Sequence, residues 1–73
     1  MMAEDVRAEI VASVLEVVVH EGDQIGEGDT LVLLESMKME IPVFATEDGV
    51  LVEILTTEGE SVTEGTVLAR LQV

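Results

Sequence analysis

The chain is 73 residues long, has no cysteine, and carries 16 acidic residues against three Lys and Arg, a formal charge of −13. That length confines it to one small domain with a thin stability margin. The charge disfavours nucleic acid and anionic membranes as partners and steers toward basic protein surfaces, and the missing thiols exclude a disulfide framework or a thiolate metal site.

Taken in chain order, residues 1–12 hold Glu4, Asp5 and Glu9 and lack a basic start followed by an apolar run, so they do not read as a signal peptide. No apolar run approaches the roughly 20 residues needed to span a bilayer. The expected location is therefore cytoplasmic, with no membrane contact. Val14–Val19 is rich in β-branched residues and reads as the first clear strand. Gly22 and Gly28 mark tight turns, because glycine reaches positive φ cheaply. Between them Ile25 is the core anchor of a very short strand. Thr30–Leu34 is the next strand, followed by Glu35-Ser36-Met37-Lys38-Met39-Glu40. The cycle then repeats: Val50–Thr56 as a strand, Gly59 and Gly65 around Val62, and Thr66–Leu71 as a strand. No segment sustains helical apolar spacing over three turns, so essentially no helix is expected.

The cycle is a true internal repeat. Shifted by 37 positions, residues 12–34 fall on residues 49–71 without a gap. Identical pairs are Glu16/Glu53, Glu21/Glu58, Gly22/Gly59, Glu27/Glu64, Gly28/Gly65, Leu31/Leu68 and Leu34/Leu71. The two copies, about 8–36 and 45–73, are each too small to close a core alone. Packed about a pseudo-twofold axis they bury one shared core and protect their edges. The expectation is an all-β, flattened eight-stranded barrel or sandwich of two quasi-symmetric four-stranded halves. Its core must be aliphatic, since Phe44 is the only aromatic residue.

Lys38 is the only lysine, and it stands between Met37 and Met39 in the link, residues 37–41, joining the copies. The spot equivalent to this link is where the chain begins and ends. Lys38 is therefore expected at an exposed hairpin tip, away from the termini. Two-residue hairpins prefer Asn-Gly or Asp-Gly, because both central residues need positive φ. Residues 35–40 contain no Gly, Asn, Asp or Pro, so a turn there carries strain of about 1–3 kcal/mol. Exposed methionines are also common on surfaces that must fit another protein. These features converge on a single amine, the side chain that accepts an amide-linked group.

Other sites fit poorly. The acidic turns Glu21-Gly22-Asp23 and Glu27-Gly28-Asp29 fail an EF-hand pattern, because the fifth and twelfth positions counted from Glu21 are Ile25 and Val32. They read as solvated turn acids. His20 reads as a surface residue, no phosphate loop is present, and Ser13, Ser36 and Ser61 have no nearby histidine. No metal site is expected.

From about Ala8 to Val73 the chain resembles the biotinyl/lipoyl attachment domains, in the biotin carboxyl carrier branch. Glu35-Ser36-Met37-Lys38-Met39 resembles that branch's Glu-Ala-Met-Lys-Met motif, with Ser36 in place of Ala. Both glycine turns, Gly22–Gly28 and Gly59–Gly65, match the family pattern, as does Ala45-x-x-x-Gly49-x-Leu51. Ala8-Glu9-Ile10-Val11-Ala12 departs from the usual Ala-Pro-Met-x-Gly, with Ala12 in place of glycine.

The resemblance implies that Lys38 is biotinylated by a biotin protein ligase, with Glu35, Ser36, Met37 and Met39 as recognition residues. It also implies that the biotin arm shuttles a carboxyl group between biotin carboxylase and carboxyltransferase sites. The chain is then a carrier and a ligase substrate rather than an enzyme, and a monomer when isolated. No Ala/Pro-rich linker precedes the domain, so a free-standing carrier is expected. Two alternatives stay open at this point: a lipoyl carrier, against which Met37 and Met39 argue, and an unmodified acidic interaction module.

Overall fold

The computed structural model describes residues 2–73, and among them there are eight strands and no helix. The strands are β1 Ala3–Arg7, β2 Ala12–Val17, β3 Gln24–Ile25, β4 Thr30–Ser36, β5 Met39–Phe44, β6 Gly49–Ile54, β7 Ser61–Val62 and β8 Val67–Gln72. They form two four-stranded antiparallel sheets, ordered β1-β8-β6-β3 and β5-β4-β2-β7. The architecture is an open sandwich rather than a closed barrel.

The 37-residue shift is obeyed throughout. It maps β1 onto β5, β2 onto β6, β3 onto β7 and β4 onto β8. The hydrogen bonds obey it too. The Gly22 amide donates to the Leu51 carbonyl at 2.7 Å and the Gly59 amide to the Val14 carbonyl at 2.8 Å. Likewise Gly28 donates to Ala45 and Gly65 to Ala8, both at 2.8 Å. β2 and β6 each carry a register shift at equivalent places, beside Leu15 and Val52.

The two sheets are not the two sequence copies. The central strands β8 and β6 come from the second copy, and their edge strands β1 and β3 come from the first. The other sheet is the reverse. Each copy therefore lends its edges to the other. Two strands also extend beyond the expected repeat. β1 is mostly polar, and β5 contains Pro42, which lacks an amide proton. β5 lies at a sheet edge, where proline is tolerated. The strands expected at Val14–Val19 and Val50–Thr56 run instead over Ala12–Val17 and Gly49–Ile54, because Ala12 and Ser13 pair with β7 and Gly49 and Val50 pair with β3.

The core is aliphatic, as the composition requires. It contains Leu31, Leu34, Leu51, Leu68 and Leu71, all essentially solvent-free, with Val14, Ile25, Val32 and Val62 among them. Complete burial of each leucine contributes roughly 1.5–3 kcal/mol. Most core residues are symmetry mates: Ala8/Ala45, Val14/Leu51, Ile25/Val62, Leu31/Leu68, Val32/Ala69 and Leu34/Leu71. The exception is Ala12, whose mate is Gly49. A Cβ at Gly49 would lie 2.6 Å from the Gln72 carbonyl oxygen, so glycine is needed there for close strand approach and not for its φ.

The turn acids have more specific roles than solvation. The Asp23 carboxylate accepts from the His20 amide at 2.9 Å and the Asp29 carboxylate from the Gly26 amide at 2.8 Å. In the second copy, Glu60 and Thr66 serve the equivalent amides of Thr57 and Thr63. Across β1, β8 and β6, Arg70 Nε donates to Asp5 at 2.8 Å and Arg70 Nη1 to Glu53 at 2.9 Å. The bond from Arg70, aided by the charges of Arg70 and Arg7, outweighs partial desolvation and holds the Asp5 carboxyl below its usual range. The same contact raises the Arg70 guanidinium.

Candidate functional site

β4 and β5 form a hairpin, and their register fixes its tip. Leu34 pairs with Ile41, Glu35 with Glu40 and Ser36 with Met39. Only Met37 and Lys38 remain to make the turn. Both are left-handed, with φ of 52° and 66°. They are the only non-glycine residues with positive φ among those described. Two positive φ values in succession are what a two-residue hairpin demands, since the opposite turn hand would splay the strands. Neither side chain suits that conformation, and each such residue costs about 1–2 kcal/mol. The ladder beneath enforces the turn: Leu34 is buried, and Ile41 packs against the core.

The link expected over residues 37–41 is therefore shorter than its sequence implied. It is two residues long, and Met39–Ile41 already belong to β5.

The tip is convex and stands clear of the core. Met37 is 90% exposed and Met39 61%. Glu35, Lys38 and Glu40 are exposed and Ser36 is partly covered. Among the described residues the ion pairs are Asp5 with Arg7, Asp5 with Arg70, Glu53 with Arg70, and Asp23 with His20. Lys38 enters none of them, so its amine is free for chemistry supplied from outside. The structure thus gathers Glu35, Ser36, Met37, Lys38 and Met39 on one protruding turn.

Glu40 belongs to this site as well, though the motif alone did not single it out. It lies directly across the ladder from Glu35, and facing like charges are unfavourable in a sheet. The available signal was register: with a two-residue turn at 37–38, residues 35 and 40 must be partners.

Among the described residues, no group of three or more His, Cys, Asp or Glu is placed to hold a metal ion. An exposed, unpaired primary amine on a strained turn is able to take a carboxylic acid through an amide bond.

Comparison with known proteins agrees with this geometry. Residues 1–71 match the family described as biotin-requiring enzyme. Over 44 residues the chain is 98% identical to the biotinylated protein TB7.3 homolog of Mycolicibacterium smegmatis, covering 60% of this chain and 62% of that protein, so this match spans somewhat under two thirds of the relative. The protein of the same name from Mycobacterium leprae is 65% identical over 68 residues, covering 93% of this chain and 96% of the relative. Among solved structures, the urea carboxylase of Kluyveromyces lactis superposes with a TM-score of 0.92 at 30% identity, over 99% of this chain and 6% of that one.

Proposed function

The chain belongs to the biotin-requiring enzyme family as a biotin carrier, and from that premise we propose that Lys38 is the residue that bears the biotin. The observation that carries the assignment is the turn itself. The one lysine of the chain stands, unpaired and exposed, on the one non-glycine turn of positive φ among the described residues. Activation must come from a biotin protein ligase that docks on the tip. Met37 and Met39 offer it adaptable apolar contacts, while Glu35, Glu40 and partly covered Ser36 offer polar ones.

Once amide-linked, biotin supplies a ureido nitrogen able to hold and release a carboxyl group. The protein's own residues do the rest. The amide removes the charge of Lys38 and turns its side chain into a neutral, flexible tether. The packed sandwich holds that tether at a fixed projecting point. Tethering gives effective concentrations on the order of millimolar at each site reached, without tight binding. The partners inferred are the carboxylating and carboxyl-accepting sites of a biotin-dependent carboxylase. The similarity to a small part of a urea carboxylase supports that setting. The isolated chain is read as a monomer in the cytoplasm.

The test uses purified protein, biotin protein ligase, ATP and biotin, read by streptavidin blot and intact mass. Wild type should gain the mass of one biotin, and Lys38→Arg should gain none. Labelling of the arginine variant, or a lipoyl mass on protein isolated from its own cells, would overturn the assignment.

A further inference from the structure

We infer that Met37 and Met39 are a reversible oxidation site that controls loading of Lys38. The inference rests on the biotin-carrier reading of the same turn. Three observations lead to it.

The first is composition. The chain contains no cysteine, tryptophan or tyrosine, so thioethers are its readily oxidised groups, and two of its four methionines flank Lys38. The second is access. Met37 is 90% exposed and Met39 61%, so neither sulfur is shielded by the core. The third is position. Met37 is a central residue of the turn, and Met39 is the first residue of β5, paired with Ser36. Both therefore adjoin Lys38 on the turn where a ligase would dock.

The chemistry needs a hydroperoxide as oxidant. The thioether lone pair attacks one peroxide oxygen, the O–O bond breaks and an S–O bond forms. With hydrogen peroxide the second oxygen leaves as water, so sulfur loses two electrons and the peroxide gains them. The product sulfoxide is polar and chiral where the thioether was apolar and flexible. Its oxygen also offers the Lys38 ammonium a hydrogen bond that it does not make in the reduced protein. Both changes oppose the fit that the ligase needs, while the core beneath, which contains neither residue, stays packed. Thiol-dependent methionine sulfoxide reductases reverse the change, one enzyme for each sulfoxide epimer.

The experiment compares apo protein before and after brief treatment with hydrogen peroxide, with oxygen uptake counted by intact mass and located by peptide mapping. Each sample then meets ligase, ATP and biotin. Untreated protein should label, and protein oxidised at both tip methionines should label several-fold more slowly at an unchanged melting temperature. Reductase treatment should restore the rate. Met37→Leu with Met39→Leu keeps Met1 and Met2, so it should still take up oxygen yet label at the same rate before and after peroxide. Equal labelling of oxidised and reduced wild type would overturn this inference and leave the carrier reading intact. Failure of untreated wild type to label would instead overturn the carrier reading.

Discussion

Two kinds of turn in this sandwich hold the chain in the left-handed region. Gly22, Gly28, Gly59 and Gly65 do so with φ between 89° and 96°, and a Cβ built on any of them meets nothing within 4 Å. Met37 and Lys38 do so with full side chains. The glycine turns serve the body. Their amides bond across the molecule to Leu51, Ala45, Val14 and Ala8, so they fasten one copy to the other. The Met37–Lys38 turn fastens nothing of that kind and presents an amine. Glycine stands where the fold alone decides. On the proposed reading, strain is retained at 37 and 38 because the amine of Lys38 is required on that turn.

The largest expected effect tests the glycine side of this contrast. Gly59→Val or Gly22→Val meets no steric obstacle but must hold a β-branched residue at positive φ. Each should lose about 2 kcal/mol, roughly 10 °C in Tm for a domain of this size. Whatever fraction remains folded should still be biotinylated near the wild-type rate. Thermal melts paired with ligase assays measure both. An unchanged Tm would mean that these turns do not fasten the copies together.

The converse change sharpens the other side. Met37→Gly removes a side chain that contributes nothing to the core and relieves a left-handed non-glycine residue. Stability should rise by up to about 1 kcal/mol, as a higher urea midpoint at constant m. Biotinylation should slow, because an apolar contact for the ligase is gone. A variant both more stable and equally well labelled would show that the methionine is not kept for recognition.

The smallest effect concerns the seam equivalent to the hairpin, where β8 meets β1 without a covalent turn and Arg70 bonds to Asp5. Arg70 holds the Asp5 carboxyl below its ordinary value, so the folded protein binds that proton less tightly than the unfolded chain. The stabilisation is complete above the unfolded value of about 3.9 and is lost as pH falls through the lower folded value. Asp5→Asn should therefore melt below wild type at pH 7, and the gap should close toward pH 3. Because Asp5 and Arg70 are both partly exposed, solvent screens the pair and the gap should be modest. A gap that persists unchanged in acid would assign it to packing instead.

Much of this was legible in the residues. The 37-residue shift exposed the repeat, the glycine pairs marked the turns, and a turn of Met and Lys without glycine foretold the strain observed at 37 and 38. These are local signals. The exchange of edge strands was not legible, because it depends on pairings between residues distant in the chain, such as Asp5 with Arg70, Ala12 with Val62 and Gln24 with Val50. β1 escaped because Ala3–Arg7 has little apolar alternation to read, and its pairing with β8 supplies what its composition does not. β5 escaped because Pro42 argues against a strand until the strand is known to lie at an edge. Glu40 closed the Glu35–Glu40 stretch in the sequence, but its place directly across from Glu35 came only with the ladder.

The borrowed edges have one more consequence. A single copy cut from this chain would keep its central pair of strands but would have to find its outer strands elsewhere. Two identical copies, trading outer strands across a true twofold axis, would rebuild both sheets. In its topology the protein is a strand-swapped homodimer written on one chain, with the end of one protomer spliced to the start of the next. At the opposite junction the Val73 amide donates to the Met2 carbonyl at 2.9 Å. The splice is Met37–Lys38. A symmetric dimer would present this turn twice or not at all; joining the copies once leaves the chain with a single lysine-bearing turn.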